Sequence, residues 1–267
     1  PSQWFWGRRS KLQGCKNMKL EIITSKQNAA LVHARKLLRS RAYRQQCQEY
    51  IAEGTKLLEE ALKWKAGVKM ILLSEALACP DVPDEIRVLQ IPEAVMRQLS
   101  LQEQPQGAMF VCNLPAPRTQ TLQGGSIILD GIQDPGNLGT ILRTADALEV
   151  PVVLTEGCCD AYSPKTIRAS MGAVFRTPPG RACKRDIMEA CRAAQIELMA
   201  TAMSDGATDI RTVALKKAAV IIGSEGQGIS EELLQAAQKR IVIPMQARCE
   251  SLNAAVAAAI VMWQMKQ

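Results

Sequence analysis

The segment DPGNLGTILRTA, residues 134–145, combines an amide side chain, Asn137, with a guanidinium side chain, Arg143. A Pro-Gly turn that opens a helix presents backbone N–H groups, which favour a phosphate or another anion. The amide and the guanidinium add donors that bind phosphate or stabilise developing negative charge. By itself, the segment fits a nucleotide phosphate loop, an RNA contact or an ordinary helix start.

Two more polar loops follow strand-like segments later in the chain. GSEGQGIS (223–230) contains Glu225, and PMQARCESLN (244–253) contains Ser251 and Asn253. The glycines are spaced G-x-x-G-x-G, not G-x-G-x-x-G, and the chain has no G-x-x-x-x-G-K-[ST], so neither NAD binding nor a P-loop is predicted. Ser251 is expected to cap the following helix, with Asn253 in the first turn.

The elements that position these loops alternate between strand and helix. The predicted strands are 126–132, 151–155, 197–203, 218–224 and 240–245, and the predicted helices are the segment after residue 134, 186–195, 230–238 and 251–266. This alternation predicts a parallel sheet covered on both faces. Because α/β proteins bind ligands at the carboxyl ends of parallel strands, the three loops are expected to share one site.

The first part of the chain predicts a smaller α/β domain. A helix over 27–47 precedes strands at 50–54, 68–73, 88–92 and 108–114, with helices near residues 55 and 93. The segment PAPRTQTLQGG (115–125) has almost no large apolar residues and is typical of a linker. We therefore expect a domain with a basic extension over 1–114, a linker over 115–125 and a second domain over 126–267.

The net charge of +7 is concentrated near the start of the chain. Residues 1–44 contain 11 basic side chains and one acidic side chain, whereas residues 124–267 contain 15 of each. A basic surface favours a nucleic acid, although a solvated charged helix is the alternative. The predicted RNA contacts lie on the 27–47 helix: Arg35, Lys36, Arg39, Arg41 and Arg44. Aromatic residues make up 4% of the chain, so base stacking is not expected to be the main binding mode.

The composition is typical of a globular protein, with 47% apolar and 22% charged residues. No apolar run reaches the roughly 18 residues that span a bilayer, so no membrane association is expected. The nine cysteines contain no C-x-x-C pair, and His33 is the single histidine, so no metal site is expected. Reduced thiols predict a cytoplasmic protein.

Three segments together resemble the motifs of the SpoU (TrmH-like) branch of the SPOUT RNA methyltransferases. They are NLGTILRTADA (137–147), IIGSEGQGIS (221–230) and IPMQARCESLNAAVAAAI (243–260). The first domain resembles the family's substrate-binding module more weakly, through the basic helix, EYIAEGTKLLEEAL (49–62) and PQGAMFVC (105–112). That module is similar to the ribosomal protein L30e fold.

The resemblance implies a C-terminal α/β SPOUT domain over 126–267, with a parallel sheet and a deep trefoil knot, preceded by an L30e-like RNA-binding domain. It implies a homodimer that uses S-adenosyl-L-methionine (SAM) to methylate a ribose 2′-hydroxyl, most simply in 23S-type ribosomal RNA. The family's cofactor contacts map to six residues: Thr201, Gly223, Ile243, Met245, Ser251 and Leu252.

The resemblance gives the central catalytic role to Arg143. Asn137 is expected to position it or the RNA, and Glu225, Ser251 and Asn253 match polar family positions around the same site. Arg143 either becomes neutral in the bound complex, when a phosphate network takes its proton, or stays charged and anchors the phosphate beside the target ribose. The sequence leaves both mechanisms open.

Two other functions compete with ribosomal RNA methylation. Transfer RNA methylation is the alternative within the class, but the separate L30e-like module favours ribosomal RNA. A non-catalytic RNA-binding protein with this fold is the second alternative, and the intact polar residues of the three motifs argue against it.

Overall fold

The computed structural model describes residues 20–23, 25, 27–116, 122–204, 206–246, 248–249 and 251–267. Most of the expected basic extension, residues 1–19, and the middle of the expected linker, 117–121, lie outside this set. The chain divides into two compact units near Pro115, and the segment 162–168 belongs to the first unit.

The first unit is built on a five-stranded sheet in the order β1-β4-β3-β5-β2. Strands β1 and β3 are parallel to β4, whereas β5 is antiparallel to β2 and β3. The elements are β1 Leu20–Ile22, α1 Ala29–Arg39, α2 Arg41–Cys47, β2 Glu49–Glu53, α3 Thr55–Lys63, β3 Val68–Ser74, β4 Arg87–Ile91, α4 Glu93–Leu99 and β5 Ala108–Asn113. The apolar face of α1, including Leu31 and Leu37, packs in one core with strand residues such as Leu72.

The single helix predicted over 27–47 is wrong, because the chain leaves helical geometry at Ser40. Ser40 has extended dihedral angles, and its Oγ accepts a hydrogen bond from the backbone N of Tyr43 at 3.1 Å. Serine competes well as an N-cap, and this capping starts α2 as a new helix.

Arg44 does not belong to the basic surface that the sequence predicts. It is 5% exposed, and its Nη1 donates a hydrogen bond to the carbonyl oxygen of Leu37 at 2.6 Å. Its guanidinium therefore stabilises the junction of α1 and α2, and the prediction of an RNA contact at Arg44 is wrong. Lys36, Arg39 and Arg41 are exposed on these helices, and Arg35 is half-buried.

The remaining chain forms a seven-stranded sheet in the order β10-β12-β9-β11-β6-β7-β8, with every neighbouring pair parallel. The elements after residue 125 are β6 Ser126–Asp130, α5 Pro135–Ala147, β7 Val152–Leu154, α6 Pro164–Ser170, α7 Ala173–Arg176, β8 Gly180–Arg181, α8 Lys184–Ala193, β9 Leu198–Thr201, β10 Thr208–Asp209, β11 Ala219–Gly223, α9 Glu231–Ala236, β12 Lys239–Val242 and α10 Ala254–Gln264. Most of α6 belongs to the first unit. The predicted parallel α/β sheet is confirmed, whereas the trefoil knot stays a prediction.

The central strands of this sheet end beside each other. Strand β6 is buried along its whole length, as expected for a parallel strand with both faces covered. Its last residue, Asp130, pairs with Gly223, the last residue of β11. The loops after these two strands therefore start as neighbours.

The N-cap of the last helix lies two residues later than the sequence suggests. Its N-cap is Asn253, whose Oδ1 accepts hydrogen bonds from the backbone N of Ala255 at 2.9 Å and of Val256 at 3.3 Å. The expected cap at Ser251 is wrong, because asparagine caps as well as serine and stands directly before the alanine-rich run. Ser251 is exposed in the preceding loop.

Within the described residues, no helix has the length and apolar character that crossing a membrane requires. The eight cysteines in this part of the chain are free thiols.

Replacing Arg44 with methionine keeps much of the side-chain volume but removes the donor to Leu37. We expect the free energy of unfolding to fall by about 1–3 kcal/mol, because a buried carbonyl loses its partner. Urea denaturation measures the change. The matched variant Arg39→Met alters an exposed arginine of the same helix pair and should stay within about 0.5 kcal/mol of wild type. Equal effects of the two substitutions would contradict the structural role of Arg44.

Candidate methyl-transfer site

A cavity of about 420 Å³ opens at the carboxyl edge of the second sheet. Its walls are the ends of β9, β11 and β12, the loops that follow them and the first turn of α10. The apolar part of the wall includes Ile222, Ile229, Leu234, Val242 and Ile243. The polar part includes Thr201, Ser224, Glu225, Gln227 and Ser251.

All six residues predicted to bind the cofactor line this cavity: Thr201, Gly223, Ile243, Met245, Ser251 and Leu252. They come from three separate segments of the sequence, and the fold brings them together. The Thr201 hydroxyl donates a hydrogen bond to the carbonyl oxygen of Ile221 at 2.9 Å. Contact of these residues with a cofactor stays a prediction.

The loop after β11 folds back tightly on itself. The backbones of Ser224 and Gly228 exchange two hydrogen bonds, of 3.1 and 2.9 Å, and Gly228 has a φ of 66°. A Cβ atom at Gly223 would lie 2.3 Å from the carbonyl carbon of Gly228. Glycine is therefore required at position 223, where the backbone itself borders the cavity.

The tip of this loop carries Glu225, which joins all three predicted motifs. Its Oε1 accepts hydrogen bonds from Nδ2 of Asn137 at 2.6 Å, from Nδ2 of Asn253 at 2.9 Å and from the backbone N of Ala254 at 3.1 Å. Nδ2 of Asn253 also lies 3.0 Å from Oδ1 of Asn137. We call Asn137, Glu225 and Asn253 the polar cluster.

Helices α5 and α10 both begin at the polar cluster. Asp134 caps α5 by accepting a hydrogen bond from the backbone N of Asn137 at 2.8 Å, and Pro135 occupies the first helical position, where no N–H is needed. The far ends also meet, since Nζ of Lys266 donates to the carbonyl oxygen of Glu149 at 3.3 Å. The two helices therefore run side by side in the same direction.

Asp130 is a buried residue of the site that the sequence analysis missed. It is 4% exposed, and its two oxygens accept hydrogen bonds from the backbone N of Ser230 at 2.8 Å and from Oγ1 of Thr155 at 3.0 Å. Asp130 therefore links the ends of β6 and β7 to the loop after β11. A carboxylate closing an otherwise apolar strand, SIILD, was the available signal, because a buried charge needs donors.

Arg143 lies apart from the cavity in the single chain. It is exposed on α5, does not line the cavity, and makes no hydrogen bond or ion pair with the described residues. Six residues along a helix correspond to a rise of about 9 Å and a rotation of about 240°. The fold thus brings Asn137 to Glu225 and Asn253, but does not place Arg143 beside Asn137.

The cavity fits SAM in size and chemistry. Its volume lies in the usual range for ligand pockets, and its apolar walls suit an adenine ring. Two buried hydroxyl oxygens, Oγ of Ser204 and of Ser230, have no hydrogen-bond partner among the described residues. Each directly follows a lining residue, Met203 or Ile229. Buried polar atoms without a partner are rare, and they suit a site that takes a polar ligand.

The side chains that could bind a metal ion do not cluster among the described residues. In the part of the chain that the structure describes, no group of three or more His, Cys, Asp or Glu side chains is placed to hold a metal ion. His33 is instead part of a first-unit network, with Nδ1 2.9 Å from the Tyr43 hydroxyl and Nε2 2.7 Å from Oε2 of Glu49.

Family comparisons match both parts of the chain. The SpoU rRNA Methylase family matches residues 125–263, and the MRM3-like substrate binding domain matches residues 30–109. The first match covers more than half of the sequence. The chain belongs to the SpoU rRNA methylase family. The family membership predicted from the three motifs is confirmed.

Relatives of this SpoU methylase match along most of their length. The 23S rRNA (guanosine(2553)-2'-O)-methyltransferase RlmP of Bacillus subtilis is 33% identical, covering 86% of this chain and 94% of RlmP. Human mitochondrial rRNA methyltransferase 3 is 28% identical, covering 86% of this chain and 70% of the relative. The crystal structure of the AdoMet-bound rRNA methyltransferase from Sinorhizobium meliloti aligns with a TM-score of 0.81 at 30% identity, covering 92% of this chain and 97% of that one.

In this SpoU methylase, Asp130→Asn should weaken SAM binding by about tenfold. The amide nitrogen of asparagine would face either the Ser230 N–H or the Thr155 hydroxyl, so one of the two hydrogen bonds that hold the loop after β11 would be lost. Calorimetry measures the affinity, and circular dichroism verifies that the fold is retained.

The exposed first-turn acid of α8 provides a control, Asp186→Asn, which should leave SAM affinity unchanged. An Asp130→Asn protein that binds SAM like wild type would show that the carboxylate does not organise the cavity.

Proposed function

We propose that this methyltransferase transfers the methyl group of SAM to a ribose 2′-hydroxyl of ribosomal RNA, most simply of the 23S type. The cavity lined by the loops after β9, β11 and β12, with Glu225 of the polar cluster in its wall, carries the proposal. Support also comes from RlmP and the Sinorhizobium meliloti protein, which are named as rRNA methyltransferases. The cytoplasmic location expected from the cysteines stays a prediction.

When bound, SAM supplies an electrophilic methyl group on a sulfonium sulfur. Gly223, Ile243 and Leu252 line the cavity and would hold it, and the resemblance to the family implies that they do so mainly through their backbone. The protein must then orient the ribose hydroxyl, receive its proton and exclude water. The rigid α5 and α10 N-termini provide the orientation, since the polar cluster fixes both.

Arg143 acts as a charged anchor in this proposal. A guanidinium remains protonated in proteins, so it binds the phosphate beside the target ribose and stabilises the developing alkoxide. Its exposed position and its lack of a hydrogen-bond partner among the described residues leave its donors available for RNA.

Glu225 receives the ribose proton in the same proposal, directly or through a water. It is the one carboxylate among the described residues that line the cavity. Three donors hold its Oε1, whereas its Oε2 has no hydrogen-bond partner in the described part of the chain. The fixed Oε1 therefore orients a second oxygen that is available for chemistry.

A homodimer completes the proposed enzyme. Val256 and Trp263 lie two turns apart on α10 and are 48% and 61% exposed. They share a face of the helix with Ile260, which gives an apolar stripe on a helix that also borders the cavity. Exposed aromatic and aliphatic residues on one face are typical of subunit interfaces.

Arg143→Ala should lower kcat for methylation of ribosomal RNA by about 100- to 1000-fold, the usual cost of removing one donor to a developing charge. SAM affinity should change little, because Arg143 does not line the cavity. Tritium transfer from labelled SAM to purified ribosomal and transfer RNA measures both the rate and the RNA class.

Arg143→Lys should recover part of the activity through its charge, and Arg192→Ala, at an exposed arginine of α8, should be unaffected. Normal turnover by Arg143→Ala would refute the anchor. Label found in transfer RNA alone would refute ribosomal RNA as the substrate.

Trp263→Glu should convert the dimer to a monomer, because a charge would be buried in the proposed interface. Light scattering after gel filtration measures the mass. Leu101→Glu places the same charge at a first-unit residue of similar exposure, 55%, and should leave the mass unchanged. A wild-type monomer at micromolar concentration would contradict the dimer.

A further inference from the structure

An exposed tryptophan stands at the end of α3 in the first unit. Trp64 is 47% exposed and occupies the C-cap position, where its backbone N donates to the carbonyl oxygen of Glu60 at 3.0 Å. The chain then turns sharply, with positive φ angles at Lys65 and Gly67. A large aromatic ring left half in water at a helix end is costly unless something covers it.

One lysine lies beside this ring, and others are close to it in the sequence. Nζ of Lys63 lies 5.8 Å from the Trp64 ring centroid, within the range of a cation–π interaction. Lys63, Lys65 and Lys69 are all exposed. Over residues 55–69 the chain has four lysines and two glutamates, so the surroundings of the indole are net positive.

A network of polar contacts joins Lys69 of β3 to α1 and α2. Lys69 pairs with Glu49, and Glu49 contacts Nε2 of His33. Burial raises the pKa of Glu49, but hydrogen bonds from Lys69 and His33 outweigh burial and hold that pKa below its ordinary value. The negative charge of Glu49 is therefore balanced by these partners. Tyr43 bonds His33 on the other side and lies beneath Lys36, whose Nζ is 5.3 Å from the ring centroid.

Among the described residues, the other exposed large apolar side chains of the first unit lie elsewhere on it. Leu101 follows α4, near Ser100, whose hydroxyl donates to Glu53 at the opposite end of β2 from Glu49. Leu20 and Ile22 belong to β1, at the far edge of the sheet from β2 and β5, which α3 contacts. In the described part of the unit, Trp64 is thus a single exposed ring in a lysine-rich segment, whereas protein interfaces need contiguous apolar area.

We infer that Trp64 stacks on an unpaired base of the substrate RNA, while Lys63 and Lys65 bind the flanking phosphates. An indole with adjacent cations matches a single-stranded nucleotide, which presents an aromatic face and a negative backbone. The inference rests on the proposed function, because it specifies how the RNA is held. The low aromatic content predicts that base stacking is not the main binding mode, and the inference agrees with this because one exposed ring can stack on one base.

The test compares two RNA probes on the full-length protein, an unstructured strand of about 12 nucleotides and a duplex of the same length. Trp64→Ala should weaken binding of the single strand by about 5- to 100-fold, the usual cost of losing one stacked base. Duplex binding should stay within about twofold, because its bases are already stacked. Trp64→Phe should restore most of the single-strand affinity.

Two controls separate stacking from charge and from misfolding. Lys65→Ala should weaken both probes and lower the salt dependence of binding, because it removes a phosphate contact. Leu101→Ala removes an apolar side chain of similar exposure at the other end of the sheet and should change neither affinity. SAM affinity should be the same in all variants.

Unchanged single-strand affinity in Trp64→Ala, or an equal loss for both probes, would overturn the stacking inference. If wild type still methylates ribosomal RNA in that case, the proposed function stands and the inference alone fails. A wild-type protein that binds neither probe and methylates no RNA would overturn both.

Discussion

The carboxylate of Glu225 is the interaction on which the site depends. One oxygen accepts hydrogen bonds from Asn137, Asn253 and the backbone of Ala254, so a single group joins the starts of α5 and α10 to the loop after β11. These bonds are charge-assisted and fix the start of α10, which borders the cavity, and the start of α5 beside it. Without them, the start of α10 would have no hydrogen bond from this carboxylate to hold it beside the loop after β11.

Two further features hold the loop that carries Glu225 against the sheet. There is no room for a Cβ at position 223, so only glycine allows the loop that carries Glu225 to fold back onto its own strand. Asp130 accepts hydrogen bonds from Ser230 and Thr155 and so ties that loop to the middle of the sheet. The role we propose for the first unit is different: its exposed Lys36 and Arg39 would provide long-range attraction for a polyanion instead of precise geometry.

The alternation of strands and helices was sufficient to predict the parallel sheet. The six cavity residues and the participation of Asn137, Glu225 and Asn253 were predicted from the resemblance to the SpoU motifs. Predictions from the sequence failed where tertiary contacts or local capping decide the outcome. Ser40 ends a helix that the sequence predicts to continue to residue 47. The basic composition predicts an RNA contact at Arg44, but this side chain is buried and bonds Leu37. The exposed position of Arg143 was not predicted either, because a sequence motif does not show which way a side chain on a helix faces.

The most direct test is a crystal structure of the protein grown with SAM. The account predicts the cofactor in the cavity beside Gly223 and Leu252, with the hydrogen bonds from Asn137 and Asn253 to Glu225 intact. Cofactor bound at another place, or a cofactor-filled cavity with those three side chains separated, would contradict it.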